Sequence, residues 1–215
     1  CKKNNIKIIE DSAETLGAKI NNKFTGTFGI GCFSFFPTKN ITTTEGGMLT
    51  TNNESLANEL RILRNQGQES RYNHTKLGFN YRMTELQAAL GIVQMSRLEF
   101  FVKRRNELTK GYMKKLESLP LKFQLVSENC RSSCHLFTLQ IADKRYDRDD
   151  LYMFLKLNKI ASQVHYIPVY RQPFYRSLGF SENYCEHTER YFNSCLSIPL
   201  HQKLEEDDFN YVVDK

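Results

Sequence analysis

The sequence predicts an α/β protein, and three observations carry that expectation. Short apolar or alternating runs, IKIIE at 6–10 and HLFTLQI at 135–141, have the length and spacing of strands. Between them lie segments whose apolar residues recur at helical spacing, as Leu56, Leu60 and Leu63 do. One long helical stretch after Thr84 separates a front part from a smaller α/β remainder. With 40% hydrophobic and 12% aromatic residues, the chain can bury a core, which excludes a disordered protein.

The elements follow in order. Residues 6–10 read as a short buried strand ending at Asp11, and 13–18 as the start of a helix. Asn21-Asn22-Lys23 marks a turn. GCFSFFPTKN reads as a strand stopped by Pro37, because proline cannot donate to a central ladder. Gly46-Gly47 supplies a tight turn before a strand restarting at Met48. Asn52 or Asn53 caps a helix over 54–65, and Gly67 fits its C-terminal stop. Residues 68–82 are polar and read as a loop. Thr84 and Gln87 form a capping box for a helix carrying Leu86, Leu90 and Val93, which continues with a bend through Leu98, Phe101 and Val102 toward Leu116. Beyond Pro120, strands at 135–141 and 161–167 flank a helix over 147–158.

Charge and cysteine usage narrow the function classes. Thirty Lys+Arg against 24 Asp+Glu give a net charge of +6, but the charges are interspersed. The densest basic cluster, Lys103-Arg104-Arg105, falls in the long amphipathic helix and reads as a solvated face, so nucleic acid is not an expected partner. No apolar run approaches the ~18–20 residues of a membrane span. The chain opens at Cys1, without a secretory signal, almost directly into a strand, and reads as a fragment. Its six cysteines form no CxxC pair, which fits reduced thiols in a cytoplasm. Cys130 and Cys134 could share a helix face, but two ligands do not make a zinc site, and no metal is expected.

Three features bear chemistry. Asp11, where a buried strand meets a loop, either meets a ligand at the carboxyl edge of a sheet or caps the following helix. Lys39 follows an aromatic strand. Among Phe33, Phe35 and Phe36 its charged form would be disfavoured, leaving the neutral amine that Schiff-base chemistry needs; the alternative is an exposed lysine in an ordinary turn. Ser34 alternates with the phenylalanines and can present its hydroxyl to a phosphate. The segment VHYIPVYRQPFY (164–175) combines four aromatics, two prolines, His165 and Arg171, suiting a sugar or aromatic ligand, while His165 is equally readable as a structural histidine.

In their order, IIEDSAETLGA, GTFGIGCFSFFPTKNITTTEGGMLTTNN, LRNQG, LGFNYRMTELQAALGIVQMSRLEFFVKRRNEL, VHYIPVYRQPFY and LSIPLH resemble the sugar-nucleotide aminotransferases of the DegT/DnrJ/EryC1/StrS family. The resemblance implies a pyridoxal-phosphate transferase of fold type I. Residues 1–97 would be the C-terminal part of the large cofactor-binding domain, 98–119 a bridging helix, and 120–215 the small α/β domain. It implies Lys39 as the Schiff-base lysine, Asp11 opposite the pyridine nitrogen, Ser34 on the cofactor phosphate, and Glu14 beside the cofactor hydroxyl. Asn80 would reach the cofactor or substrate of a neighbouring subunit in a homodimer, and His165, Tyr166, Ile167 and Pro168 would lie near the nucleotide-sugar. The implied reaction moves an amino group from L-glutamate to the C4 ketone of a UDP-linked 4-keto-6-deoxy-N-acetylhexosamine, as in pseudaminic-acid biosynthesis. A GDP- or dTDP-linked keto sugar is the alternative, and a catalytically silent cofactor-binding regulator is a reading of another class. Glutamate at position 14 departs from the glutamine or histidine of many members. The family's front portion, with its cofactor-stacking aromatic, has no counterpart before Cys1, so the cofactor pocket is expected to be incomplete.

Overall fold

The computed structural model describes residues 1–181 and 185–215. In chain order the elements are β1 (Ile9–Asp11), β2 (Lys19–Ile20), β3 (Lys23–Phe24), β4 (Ile30–Ser34), β5 (Gly47–Thr50), α1 (Glu54–Leu63), β6 (Gln68–Ser70), β7 (Asn73–His74), α2 (Glu85–Ser96) and α3 (Leu98–Lys115). They continue with β8 (Leu121–Phe123), β9 (Cys130–Arg131), β10 (Phe137–Ile141), α4 (Arg148–Leu157), α5 (Pro173–Ser177), α6 (Glu186–Ser194), β11 (Cys195–Ile198) and α7 (Glu206–Asp214). The chain divides into two compact units. The first holds Cys1–Lys103 and Val126–His135, the second Arg104–Leu125 and Leu136–Lys215. No helix among the described residues is long and apolar enough to cross a membrane.

In the first unit β4 is the middle strand of a three-stranded sheet, parallel to β1 and antiparallel to β5. Asp11 lies opposite Cys32, so the carboxyl ends of β1 and β4 emerge at one edge of this sheet. The core of the unit is Phe35, Ile41 and Phe101, with Leu16, Phe33, Met83 and Leu98 packed against it. The turn at Asn21-Asn22 joins β2 to β3, both asparagines adopting positive φ, a region this residue tolerates better than most. Strand β9 adds to the other side of β2, and Arg131 on it grips Glu99 of α3 with two hydrogen bonds of 2.6 and 3.0 Å. The guanidinium holds the Glu99 carboxyl below its ordinary range.

Helix α1 is capped by Asn53, whose side chain accepts from the Leu56 N–H, and α2 carries the full capping box of Thr84 and Gln87. The long helical stretch is two helices, broken at Arg97, whose ψ of −3° leaves the helical ladder. Four sequence expectations are corrected. Residues 13–18 form consecutive turns, because Thr15 and Ala18 bond three residues back and Gly17 sits at φ +87°, outside the right-handed helical region. Residues 68–82 are no plain loop but contain the β6–β7 hairpin. Cys130 and Cys134 share no helix face, since the first lies in β9 and the second is at φ +49°. Residues 161–167 form no strand among the described residues but a single isolated bridge, Gln163 to Ser197 of β11, and the strand beside β10 is the wholly buried β11.

The second unit is an antiparallel sheet in the order β11, β10, β8. Tyr112 of α3 is at its centre, with ring centroids 4.9 Å from Phe137 and 4.5 Å from Phe209. Leu108, Leu116, Leu139, Leu155, Ile160 and Leu196 complete this core. Asp147 caps α4 through the Asp149 and Asp150 N–H groups.

Candidate active site

The site begins where β4 ends. The strand stops at Ser34 rather than at Pro37, because the chain turns away to a loop closed by Phe35 N–H to the Gly46 carbonyl and Thr43 N–H to the Phe35 carbonyl. Gly46 makes this closure possible, since a Cβ there would lie 2.3 Å from Thr43 Oγ1. Within the loop, the Lys39 N–H donates to the Phe36 carbonyl at 3.0 Å, and the side chain reaches the turns that follow β1. There Lys39 Nζ meets Glu14 Oε1 at 3.0 Å. Lys39 is therefore no loose surface lysine: its side chain is 17% exposed, that of Glu14 46%.

Asp11 and Ser34 stand at the same carboxyl edge. Asp11 Oδ1 accepts from the Ala13 N–H at 3.2 Å in a local turn, and no helix follows for it to cap. The Ser34 hydroxyl accepts from the Phe36 N–H at 3.3 Å. The first unit thus gathers a carboxylate, a hydroxyl, and an amine paired with a second carboxylate about one pair of parallel strand ends.

Asn80 occupies a different part of the same unit. It is bridged through its backbone to Asn65, and its side chain accepts from Arg82 Nε at 3.1 Å. Beside it lies a polar cavity of about 640 Å³ whose lining includes Arg61, Arg64 and Arg82. His165, Tyr166, Ile167 and Pro168 belong to the second unit. His165 is buried there, with Nε2 2.6 Å from the Ser197 hydroxyl, and its carbonyl accepts from the Cys195 thiol. Tyr166 and Ile167 are exposed, and Pro168 is buried. Nearby, Arg171 is ion-paired with Glu189 of α6.

Three residues that sequence reasoning missed complete the lysine's surroundings. His135 Nε2 lies 3.6 Å from Glu14 Oε1, and its Nδ1 lies 3.2 Å from Asn40 Oδ1. Asn40, which is buried, donates to the Ser133 carbonyl at 2.8 Å, and the Ser133 hydroxyl donates to the Glu14 carbonyl at 3.0 Å. In the sequence, His135 is only the first residue of an alternating run, 96 positions from Lys39. No local pattern points from one to the other.

Comparison with known proteins places the chain. The family model described as the DegT/DnrJ/EryC1/StrS aminotransferase family matches residues 1–215. A pleiotropic regulatory protein of Geobacillus stearothermophilus is 35% identical over all of this chain and 58% of its own length. The UDP-4-amino-4,6-dideoxy-N-acetyl-beta-L-altrosamine transaminase of Campylobacter jejuni is 32% identical over 99% of this chain and 58% of its own. Among solved structures, S. venezuelae DesV in complex with a ketimine intermediate superposes with a TM-score of 0.92 at 30% identity, covering 99% of this chain and 57% of DesV. The chain thus spans a little under three fifths of the relatives it matches. Its α/β architecture is that of the fold type I pyridoxal-phosphate transferases, and the chain belongs to the DegT/DnrJ/EryC1/StrS aminotransferase family.

Proposed function

We propose that this chain carries the lysine-bearing part of an aminotransferase that moves an amino group from L-glutamate to the C4 ketone of a UDP-linked 4-keto-6-deoxy-N-acetylhexosamine. The observation that carries the reading is the Lys39 amine held 3.0 Å from Glu14, at the sheet edge where Asp11 and Ser34 also emerge. Those side chains suit pyridoxal 5′-phosphate: an amine for its aldehyde, an anion for its ring nitrogen and a hydroxyl for its phosphate. When bound, that cofactor supplies an electron sink for the carbon that exchanges its amino group.

The chain's own residues have definable tasks. Lys39, once its amine is neutral, takes and returns the proton at the carbon bearing the nitrogen. Glu14 is the counter-ion that keeps the amine in one place while it is charged. Asp11 favours a proton on any ring nitrogen brought against it, because an adjacent negative charge stabilises the protonated form. Ser34 orients a phosphate by hydrogen bonding. Asn80 would serve the neighbouring subunit's site in a homodimer, and residues 165–168 would border the nucleotide-sugar. A cytoplasmic location accords with the absence of any CxxC pair and with the six free thiols.

The test is made on the intact protein. Pyridoxal phosphate is trapped with borohydride and the labelled peptide is sequenced, with the label expected on Lys39. Lys39→Ala should lose the label and lower amination by about a hundredfold or more, the usual contribution of a proton-transfer group. Normal turnover in that variant would end the reading. Comparing UDP-, GDP- and dTDP-linked keto sugars separates the substrate alternatives. Failure of glutamate to bleach the visible absorbance would favour a silent regulator.

A further inference from the structure

We propose that His135 is a positioning residue for the lysine site: oriented by Asn40 and protonated beside Glu14, it shares the Glu14 carboxylate with Lys39 and keeps that lysine from being locked into a one-to-one ion pair. The inference rests on the aminotransferase reading for its purpose, but its geometry stands apart from any cofactor.

The argument starts at the Ser133 carbonyl, which can only accept. It takes its hydrogen bond from Asn40 Nδ2 at 2.8 Å, which fixes the orientation of the amide and leaves Oδ1 facing His135. An amide oxygen also only accepts, so Nδ1 of His135, 3.2 Å away, must carry a proton. On the other side of the ring, Nε2 lies 3.6 Å from Glu14 Oε1. A lone pair there would face a carboxylate oxygen, whereas a second proton turns the contact into attraction. Asn40 thus calls for N–H at Nδ1, and in our proposal the second proton sits at Nε2, where the Glu14 carboxylate would attract it. The side chain is 8% exposed, so its charge needs the nearby Glu14 carboxylate to offset the loss of water.

Two cations then converge on one carboxylate oxygen, His135 at 3.6 Å and Lys39 at 3.0 Å. Each weakens the hold of Glu14 on the other. The backbone of the same loop is also secured, because the Ser133 hydroxyl donates to the Glu14 carbonyl at 3.0 Å. Residues 133–135 thus fix Glu14 by its carbonyl and its carboxylate, and a neutral replacement of His135 would leave Glu14 to Lys39 alone.

Two measurements on the intact protein, without cofactor or substrate, test this. Nitrogen-15 NMR of the histidine rings should show both nitrogens of His135 protonated at pH 7. Competitive acylation read by peptide mass spectrometry should show Lys39 reacting about tenfold more slowly in His135→Gln than in the wild type, the order expected of removing one nearby positive charge. Finding one bare ring nitrogen on His135 at pH 7, or unaltered Lys39 acylation in a His135→Gln protein with a wild-type melting curve, overturns the proposal. If the variant does not fold, the NMR result on the wild type decides alone. Cofactor trapping at Lys39 is read separately, so either idea can fail without the other.

Discussion

Lys39 is a candidate by its place in the sequence and a constrained lysine by contact. Its loop is closed on Phe35 by two backbone hydrogen bonds, and its amine ends on Glu14. The aromatic strand beside it was legible from residues 33–36, as was the spacing to Ser34. The partners at Glu14 and His135 were not, because ion pairs between residues 25 or more apart leave no periodic trace. Tyr112 shows the same principle in the second unit. Its hydroxyl donates to the Pro199 carbonyl at 2.9 Å, and burial pushes its phenol far above the ordinary range. Tyr112→Phe should destabilise the protein by about 1–3 kcal/mol in urea unfolding at pH 7, the cost of a carbonyl left without its donor. The sign of the pH effect follows. The folded phenol titrates above the unfolded one, so its contribution is complete below about pH 10 and is lost as pH rises further. Between pH 10 and 11 the wild type should therefore lose urea resistance faster than Tyr112→Phe.

At the scale of elements, local chemistry decided most outcomes. The caps of α1 and α2 were visible as Asn52 or Asn53, of which Asn53 caps, and as Thr84 with Gln87, because a side chain that satisfies an N–H two or three residues on is written in adjacent sequence. Thr84→Ala should cost about 1 kcal/mol, measured as a lower denaturation midpoint. Gly67 is a sharper case: it sits at φ +71°, and a Cβ would fall 1.7 Å from the Lys76 carbonyl oxygen. Gly67→Ala should therefore be more damaging than the lost cap, with a larger drop in midpoint and disturbance of the β6–β7 hairpin. That hairpin escaped the sequence because its strands are short and polar, with no alternation to read. The run at 161–167 deceived for the opposite reason. It reads as a strand, yet the strand that pairs with β10 is β11, at 195–198, whose four residues are all buried.

For the molecule as a whole, the family's order of motifs was legible from end to end, while the long-range pairings that assemble the lysine site became visible only in three dimensions. Among the described residues, β1 of the first unit's sheet pairs with β4 alone, and Ile9 on it is 71% exposed. An apolar edge of this kind invites strand pairing between copies. Light scattering of this 215-residue chain should show concentration-dependent association, and Ile9→Lys should reduce it without lowering the melting temperature.

Residues 126–135 return to the first unit after the path has already entered the second, carrying β9, Arg131, Ser133 and His135 with them. For anyone splicing chimeras between relatives, a single crossover near residue 103 would graft the lysine loop of one parent onto the histidine clamp of another. Swaps that move 1–103 and 126–135 as one inherited block should keep that clamp matched, and single-breakpoint hybrids should be the ones that fail.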